Sequence, residues 1–203
     1  MKAIILAGGE SRRMGTDKAF LPWGEYSLIE FLVDRLRPLF SEVAVVTKKP
    51  EKFTGMPVKV ISDLWEERSS MIGLYSGLAA SGIASKGGPD IHFVIPCDTP
   101  LIPMQLIQEM AALAQDFEIL VLGEGPKDNP IPLPGFYQST VLPKLRDRIL
   151  KEDYRISSFL EECDYFAVPE GRWREWDPDG HSRLNLNTPQ EYQEAYIFAE
   201  PSR

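Results

Sequence analysis

A segment near the start of the chain combines glycines with cations. It is the stretch "LAGGESRRMGTDK", in which Gly8 and Gly9 are followed by Arg12, Arg13 and Lys18. Glycines let backbone amides approach a ligand closely, arginines fork onto phosphate oxygens, and lysine supplies a mobile point charge. The spacing fits neither the GxGxxG dinucleotide fingerprint nor the Walker lysine motif. The alternative is a glycine-rich loop with ordinary surface cations, but three cations in so short a span favour a phosphate-binding loop.

Two aspartates each follow a short apolar run. Asp98 comes after "FVIPC", where a carboxylate suits a Mg²⁺ ion carried in by a nucleotide. Asp63 comes after "VIS", where it can accept hydrogen bonds from a ribose or a base. The alternatives are a turn aspartate that caps the next helix for Asp98 and a solvated loop aspartate for Asp63. The residues alone leave both alternatives open.

Two asparagines precede the last predicted helix. Asn185 and Asn187 lie in "RLNLNTPQEY", where Thr188, Pro189 and Glu191 form a capping box with proline at the first helical position. Asparagines at such a place can cap or turn the chain, or they can ligate a metal or a phosphate.

Hydrophobic patterning predicts the elements that position these residues. Apolar runs predict strands at 2–6, 42–47, 58–61, 91–96 and 117–122, and helical patterns over 27–40, 71–81 and 104–115 alternate with them. Strands that are apolar throughout and separated by helices indicate a parallel sheet covered on both faces. Ligands bind such sheets outside the carboxyl ends of the strands, which is where Gly8 and Asp98 fall.

The second part of the chain has a different texture. The stretch "GEGPKDNPIPLPGFY" is rich in proline and glycine and predicts a loop and an edge strand. Helices at 139–150 and 156–162 and a strand at 164–168 are predicted after it. We interpret residues 1–203 as one domain, with a nucleotide-binding half at 1–123 and an acceptor-side half at 124–203.

Composition excludes several classes of protein. The net charge of −8 argues against a nucleic-acid binder or a protein of acidic membranes, because both need an extended basic face. The two cysteines, Cys97 and Cys163, lie far apart and argue against a disulfide framework. No apolar stretch approaches membrane-spanning length. We therefore expect a soluble, cytoplasmic protein with neither a nucleic-acid nor a membrane partner.

Four segments together resemble the molybdenum cofactor guanylyltransferases in order and spacing. They are "LAGGESRRMGTDKAFL", "ISD…IGLYSGL", "PCDTPLI" and "NLNTPQEY", and the resemblance runs through nearly the whole chain. It implies an α/β three-layer sandwich with a mostly parallel, Rossmann-like sheet of the nucleotidyltransferase type. The implied reaction transfers GMP from GTP to the phosphate of the molybdenum–molybdopterin cofactor, with Mg²⁺, and releases pyrophosphate. The string "LAGG" favours guanine over cytosine, since the related cytidylyltransferases usually have "LAAG".

The resemblance also implies roles for individual residues. Nucleotide binding is implied for Leu6, Ala7, Gly8, Gly9, Lys18, Asp63 and Asp98. Asp98 would also ligate Mg²⁺, and Lys18 with Arg12 or Arg13 would neutralise the leaving pyrophosphate. On the acceptor side, the resemblance implies Asn185 and Asn187 near the active site and Arg155 near the pterin phosphate.

One segment departs from the family pattern. Ser69, Ser70 and Met71 stand where the family commonly has a Gly-Pro pair, which leaves base selectivity in this region open. The alternatives are therefore a nucleotidyltransferase for another phosphomonoester, as a cytidylyl variant or with a sugar 1-phosphate, and a non-catalytic nucleotide-binding module. The resemblance also implies contacts with a molybdoenzyme or its chaperone.

Overall fold

The strands and helices follow the sequence pattern closely in the first part of the chain. The computed structural model describes residues 1–8, 17–65, 67, 69–80 and 89–199. Its strands are β1 Lys2–Leu6, β2 Pro22–Trp23, β3 Tyr26–Ser27, β4 Val43–Thr47, β5 Lys59–Ser62, β6 Ile91–Pro96, β7 Ile119–Glu124, β8 Asn129–Gln138 and β9 Tyr165–Val168. Its helices are α1 Leu28–Leu36, α2 Ser70–Ala80, α3 Met104–Leu113, α4 Leu142–Leu150, α5 Ile156–Leu160, α6 Glu170–Trp173 and α7 Pro189–Ala199. Short 3₁₀ turns include Lys18–Phe20 and Pro50–Phe53.

Seven strands form one central sheet in the order β5-β4-β1-β6-β8-β7-β9. The neighbours β5, β4, β1 and β6 are parallel, whereas β8 runs antiparallel to both β6 and β7, and β9 is parallel to β7. The predicted α/β architecture with a mostly parallel sheet is confirmed. Strands β2 and β3 form a separate small hairpin, which the sequence pattern did not indicate.

Alternate residues of each central strand feed two different cores. Ala3 and Ile5 of β1 pack on the side that holds α1 and α3, and Ile4 packs on the side that holds α2 and α4. Burial on both faces explains why these strands are apolar throughout. A third, smaller cluster packs Trp23 of the hairpin against Leu186 and Ala195, which attaches α7 to the sheet's ligand-binding end.

The prediction of an edge strand in the proline-rich segment is wrong, because β8 lies inside the sheet. Only Gly135–Gln138 pairs with β6, so the part of β8 that contains its three prolines has no partner on that side. On the other side Pro130 pairs with Gly123 of β7, whereas Pro132 and Pro134 lie within the irregularity where the β7–β8 register shifts between Val121 and Leu122. Prolines lack the amide hydrogen that a ladder needs. They are accommodated because one side of β8 is locally unpaired.

No helix among the described residues is long and apolar enough to cross a membrane.

Candidate active site

A cleft of about 390 Å³ opens at the carboxyl ends of the parallel strands. Its lining includes six residues that the sequence predicted to bind a nucleotide: Leu6, Ala7, Gly8, Lys18, Asp63 and Asp98. They converge because parallel strands end at the same edge of a sheet. The structure therefore brings together the predicted site residues that it describes from the first half of the chain.

Backbone hydrogen bonds continue the sheet past the strand ends and fix these residues. The amide of Ala7 donates to the Val46 carbonyl at 2.8 Å, and the amide of Cys97 donates to the Leu6 carbonyl at 3.0 Å. The amide of Asp63 donates to the Thr47 carbonyl at 3.0 Å. The backbones that carry Gly8, Asp63 and Asp98 are thus extensions of the sheet, which holds a site more precisely than a free loop.

Lys18 joins the two halves of the chain in this cleft. Its ammonium nitrogen lies 3.0 Å from Oδ2 of Asp98 and 2.8 Å from Oδ1 of Asn187. Only 14% of the Lys18 side chain and 24% of the Asp98 side chain are exposed, so the ion pair is largely shielded from solvent. A partly shielded cation held by two oxygens is placed to meet an anionic ligand in the same cleft.

The final helix sets the position of Asn187. Leu186 donates its amide hydrogen to the Asp98 carbonyl at 2.9 Å, and the Glu191 carboxylate accepts the amide hydrogens of Asn187 and Thr188 at 2.8 and 2.7 Å. The Glu191 amide donates to Oγ1 of Thr188, which confirms the predicted capping box. The hydrogen bond from Asn187 lowers the pKa of the Glu191 carboxyl.

The two asparagines have different surroundings. Asn187 contributes its side-chain oxygen to the Lys18 ammonium, whereas Oδ1 of Asn185 accepts a hydrogen bond from the Thr99 hydroxyl at 3.1 Å. Thr99 is buried and follows Asp98 directly, so Asn185 ties the segment before α7 to the Asp98 turn. In this structure Asn185 contacts the residue after Asp98, and Asn187 contacts the Lys18 ammonium directly.

Asp63 forms the opposite end of the cleft. Its Oδ1 is buried and has no hydrogen-bond partner among the described residues, and a side chain at Gly8 would lie 3.5 Å from its Oδ2. Burial raises the pKa of the Asp63 carboxyl, and Ser76 and the charge of Lys48 oppose that rise. A buried acceptor without a donor is costly, which indicates that a ligand's N–H or O–H groups complete it.

The Ser69–Met71 segment begins α2 at the edge of the cleft. Oγ of Ser69 accepts the amide hydrogen of Met71 at 3.1 Å, so this serine caps the helix, and its hydroxyl lies 3.4 Å from the Tyr154 carbonyl. Ser69 and Ser70 line the cleft, while Met71 is buried in the core. Two hydroxyl-bearing residues, Ser69 and Ser70, therefore line the cleft in the segment where the resemblance led us to expect a Gly-Pro pair.

Several predicted residues are not part of this arrangement. Gly9, Arg12 and Arg13 lie outside the residues that the structure describes. Arg155 is 78% exposed, pairs with Asp153 at 3.4 Å and does not line the cleft.

A cysteine lies in the cleft without being a nucleophile. Burial raises the pKa of the Cys97 thiol to about 12, so the thiol is protonated at neutral pH and is unsuited to attack. Among the described residues of the site, the polar groups that remain for chemistry are lysines, carboxylates, serine hydroxyls and the Asn187 amide.

Sequence reasoning missed two charged residues that line the cleft, Asp17 and Lys48. Lys48 directly follows β4, and the rule that located Asp98 at a strand's carboxyl end applies to it equally. Its ammonium donates to the Glu67 carbonyl and so reaches across to the segment after β5. Lys48 begins the lysine-rich string "KKPEK", which gave no local sign that one of its lysines faces a cleft.

The oxygens around Lys18 match the ligand preference of Mg²⁺. Asp98 and Asn187 present one carboxylate and one amide oxygen to a single cation, the Lys18 ammonium. Mg²⁺ prefers oxygen ligands and commonly takes one or two from the protein while phosphates and waters supply the rest. In the described part of the chain, no group of three or more His, Cys, Asp or Glu residues could hold a metal without such help.

Comparisons with known proteins agree with this geometry. A family model described as the MobA-like NTP transferase domain matches residues 3–167. The probable molybdenum cofactor guanylyltransferase of Chloroflexus aggregans is 31% identical over 97% of this chain and 95% of its own length. A protein of the same description from Peptoclostridium acidaminophilum is 29% identical over 95% of this chain and 86% of its own length.

A solved structure has a similar fold. The molybdopterin-guanine dinucleotide biosynthesis protein A from Archaeoglobus fulgidus matches with a TM-score of 0.83 at 23% identity, and the match covers 99% of this chain and 100% of that one. At that identity the likeness concerns the fold alone.

Proposed function

Because this chain belongs to the MobA-like NTP transferase family and is a nucleotidyltransferase, we propose that it transfers GMP from GTP to the phosphate of the molybdenum–molybdopterin cofactor. The products are molybdopterin guanine dinucleotide and pyrophosphate. The observation that carries the proposal is the Lys18 ammonium held between Asp98 and Asn187 at the sheet edge. A cation held in a cleft by side chains from distant parts of the chain is the arrangement that binding of an anionic substrate requires.

The reaction joins two anions, so electrostatics and positioning carry most of the catalysis. An oxygen of the acceptor phosphate forms a bond to the α-phosphorus of GTP, and the bond from that phosphorus to the bridging β-phosphate oxygen breaks. Pyrophosphate leaves with the electron pair. The acceptor phosphate is already ionised near neutral pH, so no side chain has to remove a proton from it.

The residues of the cleft divide these tasks. Lys18 binds the phosphates and neutralises charge that develops on the leaving group. Asp98 and Asn187 would hold Mg²⁺, which would supply positive charge to the phosphate oxygens. Asp63 accepts hydrogen bonds from the nucleotide at the buried end of the cleft, where guanine offers two adjacent donors, N1–H and N2–H.

The proposal is tested by titrating the purified protein with GTP, CTP and ATP, each with and without Mg²⁺, in a calorimeter. Preferential, Mg²⁺-dependent binding of GTP is expected. Preference for CTP would indicate that the protein transfers CMP instead of GMP. If no nucleotide binds, a non-catalytic module is favoured. Pyrophosphate release from GTP in the presence of molybdenum–molybdopterin then tests the acceptor.

A pair of matched variants tests the metal assignment. Asp98→Asn is expected to abolish Mg²⁺-stimulated turnover, since the amide supplies no negative charge to the ion. Asp116→Asn changes an exposed aspartate after α3 and is expected to leave turnover at the wild-type level. Mg²⁺-stimulated turnover that survives in Asp98→Asn would reduce Asp98 to a turn residue.

A further inference from the structure

The cleft contains a carboxylate that a triphosphate site should disfavour. Asp17 lines it next to Lys18, and 26% of the Asp17 side chain is exposed. An unpaired negative charge there repels polyphosphate and offers the neighbouring ammonium of Lys18 a competing partner. A nucleotide-binding cleft that includes Asp17 therefore needs its charge to be neutralised.

Lys52 supplies that neutralising charge from a different part of the chain. Its ammonium lies 2.8 Å from Oδ2 of Asp17, and it belongs to the 3₁₀ turn Pro50–Phe53 that follows β4. The two turns also meet through their aromatic rings, because Phe20 and Phe53 have centroids 4.9 Å apart. Lys52 lies 6.0 Å from the centroid of the Phe20 ring.

This contact fixes the backbone on which Lys18 is carried. Phe53 is buried in the core, so the turn that presents Lys52 is anchored to the sheet. The Asp17 carbonyl accepts the amide hydrogen of Phe20 at 3.0 Å, and the Lys18 carbonyl accepts that of Leu21 at 3.1 Å. The contact of Lys52 with Asp17 therefore also fixes the 3₁₀ turn Lys18–Phe20. The Lys18 side chain then contacts Asp98 and Asn187 instead of Asp17.

We infer that Lys52 is a positioning residue for nucleotide binding: it neutralises Asp17 so that Lys18 and the triphosphate meet without a competing carboxylate. The inference rests on the proposed function, because it assumes a polyphosphate ligand in the cleft. Lys52 acts through Asp17 and needs no contact with the phosphates.

The test is the calorimetric dissociation constant for GTP with Mg²⁺ in a charge cycle. Lys52→Met is expected to weaken binding about tenfold, the effect of one unpaired charge near a partly exposed anion. Asp17→Asn combined with Lys52→Met removes both charges and is expected to restore binding to within about twofold of wild type. Asp17→Asn alone is expected to bind at least as tightly as wild type, and Lys52→Arg to bind like it.

Lys59→Met is the matched control. Lys59 pairs with Glu42 at 3.1 Å, is 41% exposed against 39% for Lys52, and lies outside the cleft. It is expected to bind GTP like the wild type. The thermal unfolding midpoint of each variant is measured to show that the variant is folded. It is expected to stay close to the wild-type value, because exposed ion pairs contribute little stability.

The outcomes separate this inference from the proposed function. Unchanged binding by Lys52→Met, or binding by the double variant that stays as weak as that of Lys52→Met, overturns the inference. The second result would mean that Lys52 contacts the phosphates itself. If the wild type binds no nucleoside triphosphate at all, the proposed function fails first and the inference with it.

Discussion

A buried histidine at the far end of the sheet makes the stability of this protein depend on pH. His92 is fully buried in β6, and neither ring nitrogen has a hydrogen-bond partner among the described residues. Burial, with the nearby charge of Lys2, lowers the pKa of His92 from 6.5 to about 4, and the charge of Asp90 opposes that shift. The imidazole is therefore neutral in the folded protein over the physiological range.

The size of the effect follows from linkage. The unfolded chain binds a proton at His92 below pH 6.5, but the folded chain does so only below about pH 4. Protonation of His92 therefore costs the protein no stability above pH 6.5, and the free energy of unfolding decreases as the pH falls from 6.5 towards 4. The total decrease is about 3 kcal/mol, at 1.36 kcal/mol for each pKa unit. Between pH 7.5 and 5 the expected loss from this one group is about 2 kcal/mol.

Urea unfolding of the wild type and of His92→Phe at pH 7.5 and pH 5 measures this contribution. The variant is expected to lose about 2 kcal/mol less than the wild type on acidification, because carboxylates titrate equally in both. His181→Gln removes the only other histidine and serves as the control. Equal losses in the wild type and His92→Phe would refute the reasoning. GTP binding at pH 7.5 should be unchanged, since His92 lies near the amino end of β6, about 13 Å before the strand ends at Pro96.

Three further predictions concern the cleft. Lys18→Ala is expected to lower kcat about 10²- to 10³-fold, as loss of one charge-stabilising donor does, while the variant stays folded; an unchanged rate in the folded variant would contradict the phosphate-binding role. Asp63→Asn is expected to weaken GTP binding about 10- to 100-fold. Because burial raises the Asp63 pKa, the affinity of the wild type for GTP should fall on acidification at a higher pH than an ordinary carboxyl would give. Calorimetry across pH checks both results, and an affinity that does not change with pH would show that the Asp63 carboxylate does not bind GTP. Glu191→Ala is expected to cost about 1 kcal/mol of stability and, by releasing Asn187, to raise the Mg²⁺ concentration needed for activity. Glu191→Gln retains an acceptor oxygen and is expected to need less Mg²⁺ than Glu191→Ala. Equal metal requirements in the two variants would show that the cap does not position Asn187.

The predicted residues that the structure brings together in the cleft are those whose positions depend on local patterns. Apolar runs fixed where β1 and β6 end, and parallel pairing then brings Gly8, Asp63 and Asp98 to one edge. The capping box at Thr188 was equally local and is confirmed. These features depend on residues a few positions apart, which a single sequence displays directly.

The features that were missed or misjudged depend on distant partners. The prolines of β8 indicated an edge, but only the tertiary arrangement shows that the strand is interior and that its proline part has no partner on the β6 side. Asp17 and Lys52 are 35 positions apart, and nothing in the spacing of either shows that they pair. The different surroundings of Asn185 and Asn187 likewise depend on Thr99 and Lys18.

The long reach of the Lys18 contacts has a consequence for how the protein matures. The ammonium binds Asp98 across 80 positions and Asn187 across 169, so nearly the whole chain must be made before the three side chains can meet. A chain emerging from the ribosome can form β1, β4 and β6 while Asn187 is still unsynthesised. Nascent or truncated chains that stop before Asn187 thus lack the complete contact of Lys18 with Asp98 and Asn187. If that contact has the proposed role, catalytic competence arises only after α7 has docked.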